Sequence, residues 1–234
     1  MNKQCLLCQQ DLTYHFDLKW FLTLQPLVDK YLCERCAANF IRLDNKLTCP
    51  GCGRLSEMGK LCSDCLRWQQ VAPELLTNKA LYSYQTEAMK GYLERYKFLG
   101  DYRLRYVFQK QWCDFIVKNY PPKQGWLYVP IPVDQESKSQ RGFNQVIGLA
   151  ELLPLTEVLE MKQTHGRVKQ SKKNRRQRMQ TKQPFNYSGS EEEILQKKVV
   201  LLDDVYTTGR TLYHARAVLK THGAALVRSV TLSR

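Results

Sequence analysis

The sequence lacks long hydrophobic runs: in its 234 residues no stretch approaches the roughly 18 apolar residues that a membrane-spanning helix needs. Its first residues, MNKQCLLCQQ, lack both the basic leader and the apolar segment of a secretory signal. Acidic residues are few, with 22 Asp and Glu against 36 Lys and Arg, so the formal charge is +14 at pH 7. We therefore expect a cytoplasmic protein without membrane insertion, whose partner is a polyanion and most simply a nucleic acid.

Isolated cysteines are almost absent. Eight of the nine cysteines form four Cys-x-x-Cys pairs within the first 65 residues, and a reducing compartment does not favour disulfides between them. A two-residue spacer aims two thiolates at one point, and two such pairs complete a tetrahedral site suited to zinc. The sequence therefore predicts two structural zinc sites, with the ligands Cys5, Cys8, Cys33, Cys36, Cys49, Cys52, Cys62 and Cys65.

The spacing of the four pairs allows two partitions. In the sequential partition, the first two pairs close over 24 residues and the last two over 9 residues. In the interleaved partition, the first pair joins the third and the second joins the fourth. Both partitions fill four ligand positions, so the metal is expected to be structural rather than catalytic. Cys113 lies among apolar residues at helical spacing, which predicts a buried core thiol.

From about residue 79 the sequence alternates between predicted strands and predicted helices. The strands cover 79–84, 126–133, 197–204 and 224–234, and the helices cover 86–98, 101–118, 142–153 and 209–223. Strands that are apolar on both faces favour an α/β fold with a mostly parallel sheet covered by helices. We expect this α/β domain to occupy residues 71–234, after a cysteine-rich double zinc ribbon at residues 1–70.

The stretch VVLLDDVYTTGRT, residues 199–211, places two acids and a hydroxyl-rich turn directly after an apolar strand. Ligands of parallel sheets bind beyond the carboxyl ends of the strands. There, Asp203 and Asp204 can accept hydrogen bonds from vicinal hydroxyls or hold a hydrated Mg²⁺. A turn at a helix N-terminus forms a phosphate cradle, here from Thr207, Thr208, Gly209, Arg210 and Thr211. Together they predict a ribose 5-phosphate site, whereas a simple helix cap would need only one acceptor.

This stretch resembles the phosphoribosyl-pyrophosphate signature of type I phosphoribosyltransferases. Together with the cysteine pairs, YKFLGD at 96–101, VPIPV at 129–133 and RGFNQ at 141–145, it makes the chain resemble the ComF family of competence proteins. The resemblance implies a cytoplasmic protein, recruited to the membrane machinery for DNA uptake, that acts with the helicase-like ATPase ComFA. It also implies that Asp203 and Asp204 contact ribose hydroxyls as catalytic residues, with Mg²⁺ accompanying phosphoribosyl pyrophosphate.

Two further motifs bear on this site. VPIPV stands where related enzymes place a pyrophosphate-binding loop, but its two prolines and its lack of glycine depart from that pattern. In RGFNQ, Arg141 and Asn144 are candidate polar site residues. An alternative interpretation is that this segment begins a helix, with Gly142 as the breaker.

No acidic residue occurs in the segment 162–182, KQTHGRVKQSKKNRRQRMQTK, which carries nine Lys or Arg residues. It is predicted to be a flexible loop that either closes over pyrophosphate or binds single-stranded DNA, while a third interpretation is a solvated loop without a partner. A lid needs only a few cations, so nine favour DNA phosphates as the partner. The predicted DNA-binding residues are Arg167, Lys169, Lys172, Lys173, Arg175, Arg176 and Arg178.

Three functions are compatible with the sequence. The favoured one is an accessory protein for the internalisation of single-stranded DNA, with a ribose-phosphate pocket. The second is an active phosphoribosyltransferase that acts on an unidentified acceptor, and the third is a purely structural zinc-ribbon adaptor. The second is less favoured because no base-recognition segment and no glycine-containing pyrophosphate loop can be identified.

Overall fold

A computed structural model describes most of the chain. The residues that it describes are 4–13, 22, 29–44, 46–56, 58–72, 74–162 and 183–234. All seven predicted DNA-binding cations, from Arg167 to Arg178, lie outside the described residues. Across the part that is described, none of the helices combines the length and the apolar character needed to cross a membrane.

A parallel sheet forms the centre of the described structure. The strands are β1 Asn78–Tyr82, β2 Trp126–Pro130, β3 Leu159–Met161, β4 Phe185–Tyr187, β5 Lys198–Val205 and β6 Leu226–Ser233. The central sheet has the order β1-β6-β5-β2, and each neighbouring pair in it is parallel. Strands β3 and β4 form a separate antiparallel pair. The α/β class and the mostly parallel sheet predicted from the sequence are therefore confirmed.

Helices cover both faces of this sheet. They are α1 Glu34–Ala37, α2 Ser63–Val71, α3 Glu87–Lys97, α4 Arg105–Asn119, α5 Gln135–Arg141, α6 Gln145–Ala150, α7 Glu191–Ile194 and α8 Arg210–Thr221. Short 3₁₀ turns lie at Tyr102–Leu104 and Pro122–Gln124. The start of α3 is capped by Thr86, whose hydroxyl accepts a hydrogen bond from the Met89 amide at 3.2 Å.

The two faces of β5 belong to different hydrophobic cores. Val200 and Leu202 pack with buried residues of α3, α4 and α6, including Cys113, which is 4 % exposed as predicted. Val199 and Leu201 pack instead with α8, α7 and the β3–β4 pair. Because successive strand residues point to opposite faces, the sheet is buried on both sides.

The cysteine-rich segments join these two cores on opposite sides of the sheet. Leu6 and Leu32, which lie beside the first cysteines, pack against the core of α3 and α4. Cys52 and Cys65 belong to the core on the other face. The described cysteine-rich segments thus pack onto both faces of the sheet, and the division at residue 70 stays a prediction.

The prediction of one helix over 142–153 is wrong at its start. Helix α6 begins at Gln145, after its N-cap Asn144. A separate helix, α5, precedes it and ends at Arg141, before its C-cap Gly142, which has a φ of 80° that a side chain would disfavour. Helix α5 has the sequence QESKSQR and buries none of its residues, so hydrophobic periodicity carries no signal for it.

Candidate ribose-phosphate site and metal tetrads

The acid pair lies at the carboxyl end of β5, in the interior of the sheet. Asp203 is 8 % exposed and Asp204 is 3 % exposed. The Asp203 carboxylate accepts a hydrogen bond from the Asp204 amide at 2.9 Å. Strands β2 and β6 flank β5, so the pair sits where a parallel sheet opens towards its loops.

Lys97 is a site residue for which the sequence offered no assigned role. It is the last residue of α3, and its ammonium forms an ion pair with the Asp204 carboxylate. The Lys97 side chain is 19 % exposed, so this pair is largely screened from water. The sequence signal that could have identified Lys97 is its place in the motif YKFLGD, but this motif lies about 100 positions before the two aspartates.

The two carboxyl groups differ in their electrostatics. Burial, followed by the charge of the neighbouring Asp204, raises the pKa of Asp203 well above its usual value. Burial also opposes ionisation of Asp204, but the Lys97 ammonium outweighs it and lowers the pKa of Asp204. The raised pKa favours the protonated form of Asp203, whose hydroxyl can donate a hydrogen bond, and the lowered pKa favours the ionised form of Asp204, whose oxygens accept hydrogen bonds from ligand hydroxyls.

The predicted phosphate loop follows directly. Gly209 is the N-cap of α8 and has a φ of 81°, and a Cβ at this position would collide with the Tyr206 ring. The Thr208 hydroxyl accepts a hydrogen bond from the Arg210 amide at 3.4 Å. Thr207 and Thr211 are exposed. The fold thus places the loop beside the acid pair, at one edge of the sheet.

The remaining motifs meet at the same edge. Asn144 caps α6 through its side-chain oxygen and donates from Nδ2 to the Ile131 carbonyl of VPIPV at 3.1 Å. The Tyr96 hydroxyl donates to the Gln145 carbonyl at 3.0 Å. Arg141 donates to the Gln145 side chain at 2.7 Å. The helix-start role of Asn144 is therefore observed, and contact of Arg141 or Asn144 with a ligand stays a prediction.

The described cysteines also form two tetrads, and their partition is sequential. One consists of Cys5, Cys8, Cys33 and Cys36, and the other of Cys49, Cys52, Cys62 and Cys65. Within each tetrad the sulfur atoms lie within 4.8 Å of one another, with Cys8 and Cys33 at 3.6 Å and Cys49 and Cys65 at 3.7 Å. Metal–sulfur bonds of about 2.3 Å in a tetrahedron require sulfur separations of about 3.8 Å. Both tetrads therefore fit a structural metal ion.

Comparison with known proteins agrees with this geometry. The family model described as Phosphoribosyl transferase domain matches residues 154–234, which include the acid pair and the loop. Competence protein ComFC of Streptococcus pneumoniae (strain ATCC BAA-255 / R6) is 33% identical over 236 residues, covering 99% of this chain and 100% of that protein. The chain belongs to the ComFC family of competence proteins. Its carboxy-terminal part is a phosphoribosyltransferase-like domain.

Two other relatives extend the comparison. Competence protein ComFC of Bacillus subtilis (strain 168) is 33% identical over 234 residues, covering 98% of this chain and 94% of that protein. Competence protein F of Haemophilus influenzae (strain ATCC 51907 / DSM 11121 / KW20 / Rd) is 24% identical over 233 residues, covering 87% of this chain and 97% of that protein. The similarity to the ComFC proteins thus includes the cysteine-rich segments as well as the sheet.

Proposed function

We propose that this ComFC-family chain handles single-stranded DNA in the cytoplasm during competence and binds a ribose 5-phosphate group, in the form of phosphoribosyl pyrophosphate. The observation that carries the pocket is the buried acid pair beside the phosphate loop, at the carboxyl end of β5. In this proposal, Asp203 and Asp204 hold the ribose hydroxyls, and the loop residues 207–211 hold the 5-phosphate.

The charges of the site suit such a ligand. Asp203 or Asp204 would hold Mg²⁺, and the ion would offset part of the negative charge of the pyrophosphate. The chain's own cation, Lys97, already balances Asp204 and would lie beside the ligand hydroxyls.

An active phosphoribosyltransferase is the second candidate function. Both acids and the complete Thr-Thr-Gly turn support it, because nothing that holds the ribosyl phosphate has been lost. The VPIPV loop lies next to β5, with the Ile131 amide donating to the Leu202 carbonyl at 2.9 Å. It supplies no glycine at which pyrophosphate can approach the backbone closely. We therefore favour ligand binding over turnover.

Phosphoribosyl pyrophosphate with Mg²⁺ is expected to raise the melting temperature by about 5–10 °C at a ligand concentration of about 100 times Kd. Thermal denaturation with and without the ligand measures this shift. Ribose, which lacks both the 5-phosphate and the pyrophosphate, and Mg²⁺ alone are the controls. If the complete ligand shifts the melting temperature no more than Mg²⁺ alone does, the proposed pocket is wrong.

The two cysteine tetrads and the basic segment, residues 162–182, have separate roles in the proposed function. We infer that the ion in each tetrad is zinc, because four thiolates in a closed tetrahedral site suit Zn²⁺. We also propose that the cations between Arg167 and Arg178 bind the DNA strand, and that a helicase-like ATPase of the ComFA type is the protein partner. The net charge of +14 supports a polyanionic ligand.

Neutralising the seven cations Arg167, Lys169, Lys172, Lys173, Arg175, Arg176 and Arg178 with glutamine is expected to weaken binding of single-stranded DNA. Each phosphate contact contributes about 0.7 to the slope of log K against log salt, so the slope should fall by up to about 5. Fluorescence anisotropy with a labelled oligonucleotide at several salt concentrations measures both quantities. A control for loss of positive charge elsewhere, Lys110→Gln with Lys118→Gln on α4, should keep the original slope; an unchanged slope in the seven-residue variant would contradict the assignment.

A further inference from the structure

Three consecutive carbonyl groups, those of Tyr206 and of the first two residues of the phosphate loop, accept hydrogen bonds from side chains outside the loop. The Arg234 guanidinium donates from Nη1 to the Tyr206 carbonyl at 3.1 Å and to the Thr207 carbonyl at 2.9 Å. The indole of Trp68 donates from Nε1 to the Thr208 carbonyl at 2.9 Å. These donors lie 27 or more positions away in the sequence from the residues that they contact, so the contacts are purely tertiary.

These contacts fix the direction in which the N–H groups of the loop point, because the peptide unit is planar. In a planar trans peptide, the carbonyl of one residue and the N–H of the next point in opposite directions. Holding the carbonyls of residues 206–208 therefore turns the N–H groups of Thr207, Thr208 and Gly209 away from Trp68 and Arg234. Within the described part of the chain, these three N–H groups donate to no other residue. Consecutive outward N–H groups are an anion-binding arrangement.

Both donors are themselves held rigidly. The Trp68 ring stacks on Tyr213 with centroids 3.8 Å apart and an angle of 8° between the planes. The Tyr213 hydroxyl in turn accepts a hydrogen bond from the Leu76 amide at 3.1 Å. Arg234 is 8 % exposed, and its guanidinium lies 4.7 Å from the centroid of the Tyr206 ring. Neither side chain can move away from the loop without loss of packing.

Helix α2, which carries Trp68, connects the loop to the second cysteine tetrad. Helix α2 follows its N-cap Cys62 and contains Cys65, two members of that tetrad. Trp68 lies one turn further along this helix, and Asp64 on its first turn has a carboxylate oxygen 3.8 Å from Arg234 Nη2. The tetrad therefore anchors the helix that holds the loop.

We propose that Trp68 and Arg234 are positioning residues for the phosphate loop and that they couple the second tetrad to ligand affinity. This inference rests on the proposed function, because it needs a phosphate ligand at residues 207–211. Neither side chain contacts the ligand in this proposal. They act by fixing the loop amides before the ligand arrives, which removes an ordering cost from binding.

The test is the affinity for phosphoribosyl pyrophosphate with Mg²⁺, measured by calorimetry in Trp68→Phe and Arg234→Lys. Phenylalanine keeps the stack on Tyr213 but loses the donor, so Kd should rise about fivefold. Both carbonyls are held by the single atom Nη1 of Arg234, and the shorter lysine side chain reaches less far and loses the guanidinium contact with the Tyr206 ring, so Kd should rise about tenfold. The matched controls are Trp126→Phe at the opposite edge of the sheet and Arg228→Lys on β6, which should bind like the wild type.

The outcomes separate the inference from the proposed function. If the wild type binds and both variants bind equally well, the inference is wrong and the proposed function stands. If the wild type does not bind, the proposed function is wrong, and the inference that rests on it is wrong as well. The ligand-free melting temperature separates positioning from folding, since we expect it to change by less than about 4 °C in Trp68→Phe. Weaker binding by Arg234→Lys supports the inference even if Trp68→Phe fails to fold.

Discussion

Cys52→Ser is expected to remove one of two bound metal ions per chain and to lower the melting temperature by about 10–20 °C. The Cys52 side chain is 0% exposed and belongs to the core on the α8 face of the sheet. A missing ligand would leave three thiolates and a hydroxyl in that core, and metal binding free energy in such sites is folding free energy. We take the loss in free energy of unfolding as about 5 kcal/mol. In a chain of this size, each kcal/mol lowers the melting temperature by about 2–4 °C.

Cys113→Ser is the matched control for this substitution. Cys113 is also buried, but it belongs to neither tetrad, and its thiol donates to the Leu149 carbonyl at 3.5 Å. We expect this variant to keep both metal ions. Its free energy of unfolding should fall by about 1 kcal/mol and its melting temperature by about 2–4 °C. Metal content by elemental analysis and thermal denaturation measure the difference. Equal melting temperatures and equal metal content in the two variants would refute a structural metal in the second tetrad.

Replacing the two neighbouring aspartates with asparagine is expected to change stability in opposite directions at pH 7. Asp204→Asn leaves the largely buried Lys97 ammonium without its carboxylate. This should lower the free energy of unfolding by about 3 kcal/mol and the melting temperature by about 6–12 °C. Asp203→Asn removes an acid whose raised pKa opposes folding at neutral pH, so the melting temperature should rise. Binding of phosphoribosyl pyrophosphate should fall about 50-fold in Asp204→Asn, which loses a charge-assisted acceptor.

The pH dependence follows from the directions of the two pKa shifts. Asp204 has a lowered folded pKa, so its stabilising contribution is present above the ordinary value of 3.8 and is lost as pH falls through the folded pKa. Asp203 has a raised folded pKa, so its unfavourable contribution grows as pH rises above 3.8 and is absent at lower pH. The two variants should therefore converge on the wild type in acid. Thermal denaturation between about pH 3 and pH 8 measures this; shifts of the same sign in both variants at pH 7 would contradict the charge assignment.

The features that the sequence predicted are those encoded in neighbouring residues. Spacing within each Cys-x-x-Cys pair identified all eight tetrad cysteines, because two thiolates two residues apart can point at one ion through a local turn. The apolar run before Asp203 and Asp204 identified β5, and the glycine after the threonines identified the start of α8. The polar helix α5 was missed because it buries no residue and so shows no apolar period.

Sequence alone thus determined the α/β class, the eight cysteines of the two tetrads, and the place of the acid pair and its turn at the end of an apolar strand, since each depends on local periodicity or spacing. Binding of a ribosyl phosphate by that pair and turn stays a prediction. Tertiary structure decided the sequential partition of the tetrads, the ion pair of Lys97 with Asp204, and the contacts of Trp68 and Arg234 with the loop. The physical reason is that these contacts join residues that are distant in the chain. Which distant residues meet depends on the order of strands and on which face of the sheet each segment covers, and no local pattern records either.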